Sequence, residues 1–137
     1  MKIINAADTQ RALPFERLIP ALEAMFISGC EVPLRHVHAL HETPEESPMT
    51  VLIMPAWQRD RYLGIKTVNI YPANAARGLP GLYSTYVLYD ARTGEPLALI
   101  DGNEITSRRT AAASALAASY LAPVSYTHLT LPTILLV

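Results

Sequence analysis

Four strand-length apolar runs crowd the stretch from Met49 to Asp101, and they constrain the fold more than any other feature of the chain. "MTVLIMPAW" is ended by Pro55 and followed by the charged connection "QRDRY". "LGIKTVNI" runs into the proline- and glycine-containing loop "YPANAARGLPG". "LYSTYVLYD" and "EPLALID" flank "ARTG", which reads as a hairpin or a tight strand connection. Lys66, one of two lysines in the chain, sits inside the second run between Ile65 and Val68, so the strand carries a cation toward a core or cleft.

Helix patterns bracket this cluster. "KIIN" is a short strand, and Asp8 or Thr9 is positioned to cap a helical turn through Gln10 to Leu13. In "PFERLIPALEAMFISGC", Leu18, Leu22, Met25 and Phe26 have the spacing of one helical face, and Gly29 is a natural stop. Pro20 must kink this helix or mark where its main part begins. "EVPLRHVHALHE" reads as extended, because Leu34, His36 and His38 alternate with Arg35, Val37 and Ala39, and "HETPEESP" is a polar turn. "NEITSRRTAAASALAASYLA" is the strongest helix: Asn103 or Asp101 can cap it, Glu104 suits its positive end, and alanine has the highest helix propensity. The whole is an α+β fold, a mixed or antiparallel β-sheet with flanking helices.

Composition narrows the function classes. A chain of 137 residues with a net charge of −1 makes one modest domain without a polyanion-binding surface, so nucleic acid is not an expected partner. One cysteine, Cys30, rules out an intramolecular disulfide and fits a reducing compartment, and no secretory signal opens the chain, so the cytoplasm is expected. From Thr110 to Val137 there is no charged residue, but Pro123 and Pro132 interrupt the stretch and its first part is mostly alanine, so no membrane span is expected.

Three cations occupy places where solvation is not assured: Arg35 in an extended segment, Lys66 in an apolar strand, and Arg109 in the first turns of the last helix. Together they can grip a carboxylate, because guanidinium offers a bidentate fork and ammonium a point charge. Each alone is more simply a solvated or structurally paired charge. Arg108 lies about 100° from Arg109 around the helix, so only one of them faces a given site and the other is expected to be a surface charge. His36 and His38 share a strand face near His41 and Glu42, yet no third ligand stands at motif spacing and no metal is expected. Asp60, Asp90, Asp101 and Glu104 are the carboxylates available for acid–base work; turn chemistry accounts for Asp90 and Asp101, and none is marked as a general base. Cys30, just past a helix stop, reads as a small packing residue. The six glycines form no dinucleotide fingerprint, since "GLPG" lacks the strand–turn–helix setting.

Read in order, "MPAW" (54–57), "LGIKTVNIYPAN" (63–74), "YDARTGEPLALIDG" (89–102) and "RTAAASALAASYLA" (109–122) resemble the N-terminal half of the ornithine cyclodeaminase and mu-crystallin family. The resemblance implies a dimeric two-domain protein, in which residues 1–122 are the N-terminal part of a substrate-binding and dimerisation domain. A Rossmann domain binding NAD, or NADP, would follow. It further implies conversion of L-ornithine to L-proline and ammonia by internal hydride transfer, or, in relatives, reduction of cyclic ketimines such as 1-pyrroline-2-carboxylate with NAD(P)H. A non-catalytic ligand-binding and dimerisation module is the remaining alternative.

By the same resemblance, Lys66 matches a lysine that contacts the substrate carboxylate, Arg109 an arginine near both substrate and cofactor, and Arg35 an upstream arginine on the carboxylate. Gly81 stands near the cofactor where the family often has a hydroxyl residue. After Leu121 the chain departs from the family and reads "PVSYTHLTLPTILLV", which looks like translated sequencing-adapter sequence. Residues 123–137 are therefore expected to be a non-native tail, with the Rossmann domain and the family's catalytic aspartate missing. Such a piece is expected to be inactive alone and to expose apolar surface.

Overall fold

The structure, a computed structural model, describes residues 1–41 and 49–121. The polar turn "HETPEESP" from Glu42 on, the side chain of His41 and the expected tail at 123–137 lie outside the described residues. Strand β1 (Lys2–Ile4) leads to helices α1 (Ala6–Ala12) and α2 (Phe15–Ser28); β2 (His36–His41), β3 (Met49–Trp57), β4 (Tyr62–Ile70), β5 (Leu82–Asp90) and β6 (Pro96–Asp101) follow, and α3 (Gly102–Leu121) closes the series. The six strands form one sheet in the order β1-β6-β5-β4-β3-β2. β1 runs parallel to β6 while every other pair is antiparallel, so the sheet is mixed and the fold α+β.

Local chemistry explains most element ends. The hairpin between β5 and β6 is held by Asp90, whose side chain accepts from the amides of Arg92 and Thr93 at 2.7 and 3.1 Å. Gly29 ends α2 with a φ of 74°, a conformation that a side chain would strain. The first helix differs from expectation: Asn5, not Asp8 or Thr9, caps it by accepting from the Asp8 amide, which lengthens α1 toward the N-terminus. Asp8 instead pairs with Arg11, and the Thr9 side chain is buried. Helix α2 runs unbroken through Pro20. Pro55 does not end its strand, because β3 continues to Trp57. The last residue of β3 registered with β2 is Ile53, so the missing proline amide falls where that neighbour has already left the ladder.

All three helices gather against one face of the sheet. Helix α3 packs on β4, β5 and β6 and in turn carries α1 and α2. Register fixes which side chains meet it: Gly64, Lys66 and Val68 of β4 share their face with Ser84, Tyr86 and Leu88 of β5 and with Ala98 of β6. The buried strand residues Gly64, Val68, Ser84 and Ala98 all belong to that face. Phe26, expected to pack inward, is 69% exposed and lines an open groove between α2 and α3 with Ala113 and Leu116. Cys30, expected as a packing residue, is exposed as well.

Candidate functional site

Helix α3 begins on the sheet without a loop. Asp101, the last residue of β6, accepts from the Glu104 amide at 2.7 Å and caps the helix, so of the two expected caps Asp101 is the one used. Gly102 lies so close to β5 that a Cβ there would stand 2.7 Å from the Ser84 carbonyl carbon. Ser84, itself buried, donates to the Asn103 side-chain oxygen at 2.8 Å. This contact sets the height of α3 above β4 and brings its second turn over Lys66.

Lys66 sits at the middle of β4, with Met54 and Tyr86 as its register partners on either side. Its Nζ donates to Thr106 Oγ1 at 3.1 Å, and that hydroxyl donates to the Gly102 carbonyl at 2.7 Å. Burial pulls the Lys66 ammonium below the usual lysine range, and repulsion from Arg109 and then from Arg35 adds to the effect. Arg109 lies one helical turn after Thr106 on the same face of α3. Arg35 stands in the segment just before β2, close enough to Lys66 for its guanidinium to repel the ammonium. The three cations named from the sequence therefore converge.

None of the three is neutralised: among the described residues, the ion pairs are Arg11–Asp8, Arg59–Glu31 and Arg108–Glu104. An ammonium repelled by two guanidinium groups, with no carboxylate partner among the described residues, is an arrangement that an anion stabilises, and a carboxylate matches the fork and point-charge donors best. The floor beneath them is apolar, made by Leu52, Met54, Val68 and the ring of Tyr86. Tyr86 leans over Gly64, where a Cβ would lie 1.8 Å from its hydroxyl, and lines a cavity of about 250 Å³ with Met25, Cys30 and Leu88. Burial, followed by the nearby Cys30 thiol, pushes the Tyr86 hydroxyl up, so it stays protonated at neutral pH.

Other sequence candidates go elsewhere. Arg108 is not a surface charge: its side chain is 14% exposed, donates to the Leu13 carbonyl at 2.7 Å, pairs with Glu104 at 3.6 Å and lies 4.4 Å over the Phe15 ring. It ties α3 to the junction of α1 and α2. Gly81 is exposed in the β4–β5 loop, five residues from Tyr86 and so about 16 Å along the strand from the cation cluster. His36 and His38 share a face, with ring centroids 6.4 Å apart, but it is the face opposite Lys66. Asp60 and Asp90 serve the turns joined by Arg92, Asp101 caps α3, and Glu104 holds Arg108. Among the described residues no three His, Cys, Asp or Glu side chains gather as metal ligands, and no helix is long and apolar enough to cross a membrane. Thr106 was missed by sequence reasoning. Its three-residue spacing before Arg109 in a helix was the available signal.

The model of the ornithine cyclodeaminase/mu-crystallin family matches residues 2–131. A Δ1-pyrroline-2-carboxylate reductase of Colwellia psychrerythraea is 40% identical over 132 residues, covering 96% of this chain and 42% of the relative. The structure of Thermococcus litoralis Δ1-pyrroline-2-carboxylate reductase in complex with NADH and L-proline superposes with a TM-score of 0.76 at 32% identity, over 90% of this chain and 38% of that one. A lysine cyclodeaminase structure, described for its recognition of L-lysine, L-ornithine and L-2,4-diaminobutyric acid, reaches 0.70 at 31% identity over 90% of this chain and 39% of that one. The chain thus spans about two-fifths of the length of these proteins.

Proposed function

The chain belongs to the ornithine cyclodeaminase/mu-crystallin family, and from that premise we propose that it is the substrate-holding part of an NAD(P)H-dependent reductase of cyclic imino acids such as Δ1-pyrroline-2-carboxylate. Lys66, Arg109 and Arg35 hold the substrate carboxylate. One observation carries this reading: three cations without an ion-pair partner among the described residues gather above an apolar floor. A cyclic imino acid brings one carboxylate for the cations and an apolar ring for Leu52, Met54 and Tyr86. L-Ornithine would bring a second ammonium, and the registered neighbours of Lys66 on that face include no carboxylate to receive it. Ornithine cyclodeamination stays as the second reading because of the likeness to lysine cyclodeaminase.

The cofactor requires more than these residues. Gly102 and Gly64 are closely approached by Ser84 and Tyr86 of the chain itself, and Asp101 occupies the start of α3, so the described residues leave no cradle for a pyrophosphate. Arg109 and the loop at Gly81 are the contacts this chain offers, and a Rossmann domain in the parent protein supplies the rest. In the same reading residues 1–122 are the N-terminal part of the substrate-binding and dimerisation domain, the family match runs nine residues into the stretch 123–137, and the chain is inactive alone. The sheet face away from the helices meets a second copy in a homodimer. In the same reading the parent protein is cytoplasmic.

The parent protein, recovered from the genomic sequence that follows codon 122, is assayed with Δ1-pyrroline-2-carboxylate plus NADPH or NADH against L-ornithine plus NAD. Turnover of the imino acid and none of ornithine is expected; proline formed from ornithine without net NADH would replace this reading with the second. Lys66→Met in that protein is expected to weaken the carboxylate substrate at least about tenfold, the worth of one charged hydrogen bond. Unchanged kinetics would remove Lys66 from the site.

A further inference from the structure

We propose that Thr106 is a positioning residue for the Lys66 ammonium, holding it on the α3 side of the cleft so that it and Arg109 meet one carboxylate. The proposal rests on the reading of the cation cluster as a carboxylate site. The Thr106 hydroxyl commits its single hydrogen to the Gly102 carbonyl at 2.7 Å, so toward Lys66 it can only accept, which it does at 3.1 Å. Gly102 is in turn fixed, because its Cα packs against the Ser84 backbone. An unbroken line therefore runs from the β5 backbone through Gly102 and Thr106 to Nζ.

Such an anchor is needed. A lysine side chain has four rotatable bonds and a strongly hydrated head, and the groups facing this one are Arg109 from α3, Arg35 from the segment before β2, and the neutral Tyr86 from β5. Repulsion from the two guanidinium groups drives Nζ toward solvent and away from the place where a carboxylate would bridge all three. One hydrogen bond to Thr106 opposes that drift and leaves two ammonium hydrogens for the ligand. Because the bond stabilises the charged form, it opposes the effect of burial on Lys66.

The chain itself permits a direct test, since Lys2 and Lys66 are its two lysines and 13Cε-lysine labelling gives one resonance for each. The full chain is compared with Thr106→Val, which keeps the shape and removes the acceptor, and with Thr106→Ser, which keeps the acceptor. In Thr106→Val the Lys66 titration midpoint is expected to move further down, and L-proline, followed by the Lys66 resonance, to bind about tenfold more weakly. Thr106→Ser is expected to restore both. A Lys66 midpoint in Thr106→Val equal to the parent's, or a serine variant that behaves like valine, overturns the proposal. Should the valine variant unfold, Thr106→Ala is read by the same midpoint, which a merely structural role would leave in place. If L-proline fails to perturb Lys66 in the unaltered chain, the carboxylate reading falls, whereas the midpoint still decides whether Thr106 holds the ammonium.

Discussion

The two faces of the sheet are made from the same strands and meet different fates. On the helix side, Gly64, Val68, Ser84 and Ala98 are buried, and Lys66 is tied to α3 among them. On the other side, Ile53, Ile65, Val87 and Leu99 are equally apolar, yet each keeps partial exposure and Ile3 is 78% exposed. Strand alternation alone would let either face become the core. The difference lies in size: glycine, serine and alanine on one face let a helix backbone come close, whereas the branched side chains of the other hold a helix off. The close-packed face is therefore the one that can fix a charged group in position, and the open face is the one that keeps apolar surface in contact with water.

Gly102→Ala tests the close approach most severely. The added Cβ would lie 2.7 to 2.8 Å from Ser84 backbone atoms, which cannot rotate away as a side chain can. The expected loss is about 3 kcal/mol of unfolding free energy, measured by urea denaturation. A loss under about 1 kcal/mol would show that α3 is free to rise, and the contrast between the faces would collapse.

Neighbouring arginines sharpen the contrast within α3. Arg108→Met removes a hydrogen bond to the Leu13 carbonyl, a partly buried ion pair and a cation–π contact, and should cost about 2 kcal/mol. Arg109→Met removes an exposed cation that repels Lys66, so stability should change by less than about 0.5 kcal/mol while L-proline binding is lost. Equal destabilisation by the two would mean that Arg109 is also a structural residue.

These two residues also mark what the sequence could reveal. Signals carried by adjacent residues were legible: the four strand runs, the Asp90 turn, the Gly29 stop, the alanine-rich helix and the placement of Lys66 inside a strand. The convergence of Lys66 and Arg109 was legible through the family resemblance. What depended on distant partners was not. Arg108 looked like a solvated charge because its acceptor, the carbonyl of Leu13, is 95 residues away. Pro55 looked like a strand end because the sequence does not say which neighbour β3 has at that point. Phe26 had the right spacing for a core, but at that end of α2 the groove against α3 is open.

Alkaline pH separates the covered face by electrostatics. Lys66 has a folded-state value below its ordinary 10.5, so between those two values the unfolded chain binds more protons than the folded one. Stability contributed by this residue therefore rises with pH through that window; below it the charged, crowded ammonium is a fixed cost. Relative to Lys66→Met, the unaltered chain should gain urea midpoint as the pH approaches about 10.5, and saturating L-proline should reduce the gain by stabilising the charged form. A flat difference between the two chains would mean that Lys66 is solvated and outside the covered face.

A small change in stability is also expected on the open face, and it is informative because it is small. Ile65 is half-buried among branched neighbours and away from the helices, so Ile65→Thr should cost the isolated chain no more than about 1 kcal/mol. The same change puts a hydroxyl in the middle of the surface assigned to a second copy, where burial on association would leave it without a partner. Sedimentation across a concentration series should then show the unaltered chain associating and the threonine variant remaining monomeric. Should Ile65→Thr instead cost the monomer more than about 2 kcal/mol, the face is covered within a single chain. A second copy would then have no place on it, and the size of the side chains would no longer explain why the helices chose the other side.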